Sequence, residues 1–174
     1  MKHTLLAFLL AAASLFASEP WPGVPYTEVR AFAWDGKIET QRLIGDDFTF
    51  VEGVIDKEGA VLSADQIKRL LTAQARRYKE RSFAACYSPH NAFVFYNAEK
   101  KPVAFLEICF DCLGNRSNPA DDKSDPDFMA LGKICEELKL PFGHHNTLAE
   151  LQKKVRWLGQ SDEKKPARNT IFLN

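Results

Sequence analysis

The stretch from Cys86 to Cys112 constrains the fold more tightly than any other part of the chain. Two apolar runs, one from Ala92 to Tyr96 and one from Pro102 to Cys112, flank the polar turn Asn97-Ala98-Glu99-Lys100-Lys101. Strand-forming runs separated by so short a polar turn read as an antiparallel hairpin. If Asn97 pairs with Lys101, Val94 faces Ala104, His90 faces Ile108, and Cys86 falls opposite Cys112. The hairpin then delivers Cys86, His90, Cys109 and Cys112 to one of its ends. Pro89 carries no backbone donor, so regular pairing loosens there and lets side chains converge.

The flanking segments supply the rest of the architecture. Tyr26 to Trp34 is rich in aromatic and branched residues and ends at Asp35-Gly36, a hairpin turn signal, so Lys37 to Ile44 is expected as a return strand. Phe48 to Val51 reads as a further short strand. Ser63 and Gln66 form a capping box, and Ile67, Leu70, Leu71, Gln74 and Tyr78 follow at helical spacing, which predicts a helix over about 64–80. A second helix is expected from Asp125-Pro126-Asp127, with Pro126 at its first position and Leu140-Pro141 as its stop. A third opens at the capping box Thr147/Glu150 and buries Leu148, Leu151, Val155 and Leu158. Ile171 to Leu173 is a candidate edge strand. This order predicts an α+β fold, an antiparallel sheet with a central hairpin packed against about three helices.

The N-terminus pairs Lys2 with an apolar run from Leu5 to Phe16 and then Ala17-Ser18-Glu19-Pro20. That is the pattern of a secretory signal peptide over residues 1–17, cleaved after Ala17 or Ala13. A run of 12 residues is too short to span a bilayer, which takes about 20. Residues 18–25 hold three prolines and read as an extended lead-in, and 26–174 as a single domain. The protein is therefore expected to be exported, periplasmic or secreted, with no integral membrane segment after signal removal. With 23 basic and 23 acidic residues in 174, the chain lacks the positive surplus that nucleic acid would require.

Three chemistries fit the Cys/His cluster. Cys86-x3-His90 with Cys109-x2-Cys112 offers four ligands suited to tetrahedral zinc. An oxidising compartment allows a disulfide lock from Cys86 to Cys112 or Cys109, since cross-strand neighbours meet the short Cβ separation a disulfide needs. Cys109 and Cys112 could instead be a redox dithiol, although Leu113-Gly114-Asn115 reads as a loop and not as the helix N-terminus that lowers thiol pKa in such motifs. A Cys86/His90 nucleophile pair lacks a third orienting residue. The leading expectation is a non-enzymatic domain with a disulfide lock or metal site. A thiol or redox enzyme, or a binding module with no chemistry at the cysteines, are the alternatives. Cys135, on an apolar helix face, reads as a small buried hydrophobe.

Cys86-x-x-Pro89-His90, the strand Phe93-x-Phe95-Tyr96 and Ile108-Cys109-Phe110-x-Cys112 resemble a pattern in uncharacterised exported bacterial proteins. A capped helix before the pattern and a helix ending Leu138-x-Leu140-Pro141 after it are also similar. The resemblance covers roughly residues 61–142 and implies no particular activity. It points to the Cys/His cluster as the purpose of the hairpin.

Other constellations are weaker. Lys68, Arg69, Arg76, Arg77 and Lys79 read as a solvated helix face. Asp121, Asp122, Asp125 and Asp127 lack the order of an EF-hand loop and suit a helix N-terminus instead. His144-His145 has no partner visible in the sequence. Asn115-Arg116-Ser117 matches a glycosylation sequon, relevant only in a eukaryotic source.

Overall fold

A computed structural model describes residues 20–37, 40–76, 87–121 and 125–158. Five strands, β1 (Glu28–Ala33), β2 (Ala60–Val61), β3 (Asn91–Tyr96), β4 (Pro102–Cys109) and β5 (Gly114–Asn118), join in the order β2-β1-β3-β4-β5. All neighbouring pairs are antiparallel. With α1 (Ala64–Gln74), α2 (Phe128–Glu137) and α3 (Leu148–Leu158), this is an α+β fold built around the β3–β4 hairpin.

The central strand explains its own sequence. Phe93 and Phe95 of β3 pack with Leu106 and Ile108 of β4 against Leu70 of α1, Phe128 and Leu131 of α2, and Leu151 and Val155 of α3. Ala92 and Val94, on the opposite face, pack with Phe32, Trp34, Leu43, Ile44 and Phe105. A strand buried on both faces cannot alternate apolar with polar residues, which is why β3 reads as an unbroken apolar run. Each large side chain buried this way contributes roughly 1.5–3 kcal/mol.

The hairpin keeps its turn but shifts its register. The Asn97 amide donates to the Lys101 carbonyl at 3.0 Å, as expected. Tyr96 then pairs with Pro102, whereas Phe95 pairs with Ala104, so Val103 is an extra residue on β4. Beyond this bulge Val94 faces Phe105, not Ala104, and Asn91 is the partner of Ile108, although the His90 amide still donates to the Ile108 carbonyl at 3.2 Å. A bulge of this kind moves every later pair by one.

Of the expected return strand Lys37 to Ile44, the described residues 40–44 form no strand. Gly36 has a turn geometry with φ +69°, but β1 takes β3 as its main partner and Ala60–Val61 on its other edge. The 40–54 segment instead covers the sheet face opposite the helices. Isolated bridges Ile44–Phe50 and Trp34–Val54 are the only ladder contacts described there, so Phe48 to Val51 is not a strand either. A buried carboxylate holds this segment in place. Glu107 of β4 accepts the amides of Leu43 at 2.9 Å and Ile44 at 2.7 Å. Arg116 of β5 holds the same carboxylate at 2.8 and 3.0 Å and also donates to the Ile44 carbonyl.

The helices keep their expected faces and change their ends. Ser63 caps α1, and Gln66 returns the bond to the Ser63 amide at 2.9 Å, completing the capping box. The helix stops at Gln74 rather than near 80. The Ala73 carbonyl accepts from Asp127 at 3.0 Å and the Arg76 carbonyl from Asp125 at 3.2 Å, so a distant segment occupies acceptors that further helical turns would have used. The N-cap of α2 is Asp127, which accepts the Ala130 amide at 2.9 Å, and Pro126 lies just outside the helix. Lys139, at φ +57°, and Leu140 close α2 with amide bonds to the Glu136 and Cys135 carbonyls, a Schellman arrangement. The expected signal peptide, Cys86, Asp122, the 77–80 end of the first helix and the Ile171–Leu173 strand lie outside the described residues.

Candidate functional site

The site forms where β4 gives way to β5. Cys109 is the last residue of β4 and pairs with Gly114, the first of β5, so Phe110 to Leu113 make a four-residue connection. Leu113 takes φ +53°. The sequence reading placed Leu113 to Asn115 in a loop; the structure extends β5 back to Gly114. Its polar run Gly-Asn-Arg-Ser-Asn carries no strand signal, and the Glu107–Arg116 cross-strand pair supplies the reason it pairs.

Cys109 is fully buried and Cys112 is 3% exposed. The backbone N–H of Cys112 donates to Cys109 Sγ at 3.4 Å. The neighbouring Cys112 thiol is the largest influence favouring the Cys109 thiolate, and with the backbone N–H groups of Ser88 and Cys112 it outweighs burial and the nearby Asp111 charge. The Cys109 thiol is lowered from 9.0 to about 7. A neighbouring thiol, helped by backbone amides, thus does what a helix N-terminus does in other low-pKa thiols. Tyr87 lies alongside: a side chain at Gly114 would sit 2.8 Å from its ring and 3.0 Å from Cys112 Sγ. Desolvation raises the Tyr87 phenol, with further contributions from Glu107 and Cys109. Its buried hydroxyl has no hydrogen-bond partner among the described residues.

Asp111, between the two cysteines, gathers three imidazoles that the sequence leaves unrelated. His144 Nδ1 lies 3.0 Å from its carboxylate, His145 Nε2 3.6 Å and His90 Nδ1 3.8 Å. The His90 and His144 rings meet edge to face at 5.0 Å. The 141–147 loop reaches the turn because the Asn91 side-chain amide donates to the Pro141 carbonyl at 2.7 Å and Phe142 packs on Phe110 at 5.9 Å. Gly143, at φ +66°, passes so close that a Cβ there would stand 2.8 Å from the Asp111 carboxylate. Burial pushes the His90 imidazole down, against the pull of Asp111. Asp111 could not be found from the sequence, where it is one acid among 23.

Of the expected ligand set, Cys109 and Cys112 come together, His90 faces Asp111, and Cys86 lies outside the described residues. Among the described residues no two cysteines stand at disulfide-bonding distance, and no three His, Cys, Asp or Glu side chains are drawn in as a metal-binding group as they stand. Cys135 is buried in the helix-facing core as expected, and desolvation pushes its thiol up to about 12. Asp127 serves as the N-cap of α2. No helix among the described residues is long and apolar enough to cross a membrane. Comparisons with protein-family models, curated proteins and solved structures give no match.

Proposed function

We propose that the chain is an exported domain whose Cys109/Cys112 pair is a thiol–disulfide centre, with Cys109 as the attacking sulfur. The observation that carries this reading is the hydrogen bond from the Cys112 backbone N–H to Cys109 Sγ at 3.4 Å, at a thiol whose pKa is lowered to about 7. The thiolate is the nucleophile in exchange, and an attacking thiol works best with a pKa near ambient pH. Cys109 would attack one sulfur of a partner disulfide and form a mixed disulfide as the partner's first thiolate leaves. Cys112 would then lose its proton and attack Cys109, releasing the second thiolate. The partner gains two electrons, and Cys109 and Cys112 are oxidised to a disulfide. The burial of both sulfurs suits a pair that holds its redox state until a partner opens the turn.

Equilibration with defined ratios of reduced and oxidised glutathione, followed by acid quenching and mass mapping, tests the reading. The expected result is reversible formation of a Cys109–Cys112 bond that C109S and C112S each abolish. Thiols that stay reduced across the range, or zinc bound through Cys86, His90, Cys109 and Cys112, would overturn it.

A further inference from the structure

We propose that Asp111, His90, His144 and His145 form a binding site for a divalent transition cation of the zinc type, separate from the thiol pair. This does not rest on the thiol–disulfide reading. The four side chains come from three places in the chain: the lead-in to β3, the β4–β5 turn and the α2–α3 loop.

Two buried atoms point to a ligand. Among the described residues, His90 Nδ1 and His145 Nε2 are shielded from solvent and have no hydrogen-bond partner. Both face the Asp111 carboxylate at 3.8 and 3.6 Å, beyond hydrogen-bond range. The His90 side chain is 10% exposed. A buried nitrogen without a partner is costly and calls for an explanation such as an ion. An imidazole nitrogen that turns its lone pair to this carboxylate is repelled by it unless a cation lies between them.

The distances suit this occupant. Bonds of 2.0–2.2 Å to His nitrogen and carboxylate oxygen place tetrahedral ligands about 3.4 Å apart. The observed nitrogen–oxygen separations run from 3.0 to 3.8 Å. His90 and His144 address Oδ2 while His145 addresses Oδ1, so the nitrogens share no common focus as they stand. Closure requires rotation of the carboxylate and of loop side chains, and His144 is 76% exposed and able to turn. That open side leaves room for water on the ion. Imidazole and carboxylate donors suit zinc better than the hard cations calcium and magnesium.

The test is zinc titration of chelator-stripped, reduced protein by calorimetry, in wild type and in a C109S/C112S variant. Both should bind zinc with similar affinity. H145A and D111N should weaken binding by roughly tenfold or more. H144A should weaken it too, and because His144 is exposed its loss will not threaten the fold. Thermal melts without metal identify any variant that fails to fold. Absence of zinc binding would overturn the proposal. So would binding that survives H144A and H145A but vanishes in C109S/C112S, which would place the metal on the thiols and overturn the thiol–disulfide reading as well. Zinc at the histidines with thiols inert to glutathione would overturn only the latter.

Discussion

The backbone N–H of Cys112 points at the sulfur of Cys109, 3.4 Å away, across a span of two residues. One sulfur of the pair is therefore an acceptor before any reaction, and the two cysteines are unequal. The inequality follows from the backbone. Cys109 ends a strand, and the turn that follows brings the amide of Cys112 back toward its side chain.

That asymmetry predicts a measurable titration. Alkylation of Cys109 as a function of pH should report a thiolate forming near 7. Cys112→Ala removes the neighbouring thiol, the largest cause of the shift, and should move the midpoint up toward 9.0. Because the folded pKa lies below the ordinary value, the reduced protein gains stability above about pH 9, and loses it as pH falls through about 7. Urea midpoints at pH 6 and 9 should show this difference in wild type and a smaller one in C112A. Equal differences would remove the Cys112 thiol from the account.

A second prediction concerns Glu107, whose fully buried carboxylate binds the Arg116 guanidinium and two amides of the 40–54 segment. Glu107→Ala leaves Arg116 without its main partner and strands the amides of Leu43 and Ile44. Removing one member of a buried pair costs about 3–5 kcal/mol. Urea denaturation should show a loss of that order, with increased hydrogen exchange at residues 43 and 44. Glu137→Ala, which breaks the exposed pair with Arg69, should move the midpoint far less.

The capping box gives a third prediction. The Gln66 amide donates to Ser63 Oγ at 3.2 Å. Ser63→Ala should lower stability by about 1 kcal/mol without changing thiol chemistry. An unchanged midpoint would mean that the cap contributes nothing here.

The features visible in the sequence were those written in local chemistry. Ser63 with Gln66, the apolar faces of the helices and the Asn97–Lys101 turn each depend on neighbours a few residues away. The expectations that failed depend on distant partners. Val103 bulges, and no residue in the apolar run marks where the ladder must take up an extra position. Helix α1 stops at Gln74 without glycine or proline, because segment 125–127 bonds to its end. The 40–54 segment is held by Glu107, more than 60 residues away. The site divides in the same way. The Cys109-x2-Cys112 spacing is legible, whereas the grouping of His144 and His145 with Asp111 requires α2 to return the chain to the turn.

Two glycines with the same backbone twist allow a last prediction that separates strain from crowding. Gly23 and Gly59 both have φ +66°. A Cβ at Gly23 would meet nothing within 4 Å, whereas one at Gly59 would lie 2.6 and 2.7 Å from the Phe32 ring and 3.0 Å from the Ala31 carbonyl oxygen. Gly23→Ala should therefore cost only the left-handed backbone penalty, about 1–2 kcal/mol. Gly59→Ala adds overpacking against a ring that is 2% exposed, a further 1–3 kcal/mol or so. The ring cannot yield easily, because Phe50 packs on it at 4.8 Å and Trp34 at 6.5 Å. Thermal or urea denaturation of the two variants should show a clearly larger loss for Gly59→Ala. Equal losses would mean that the Phe32 cluster rearranges freely and that the sheet face opposite the helices is less tightly packed than its aromatic contacts indicate.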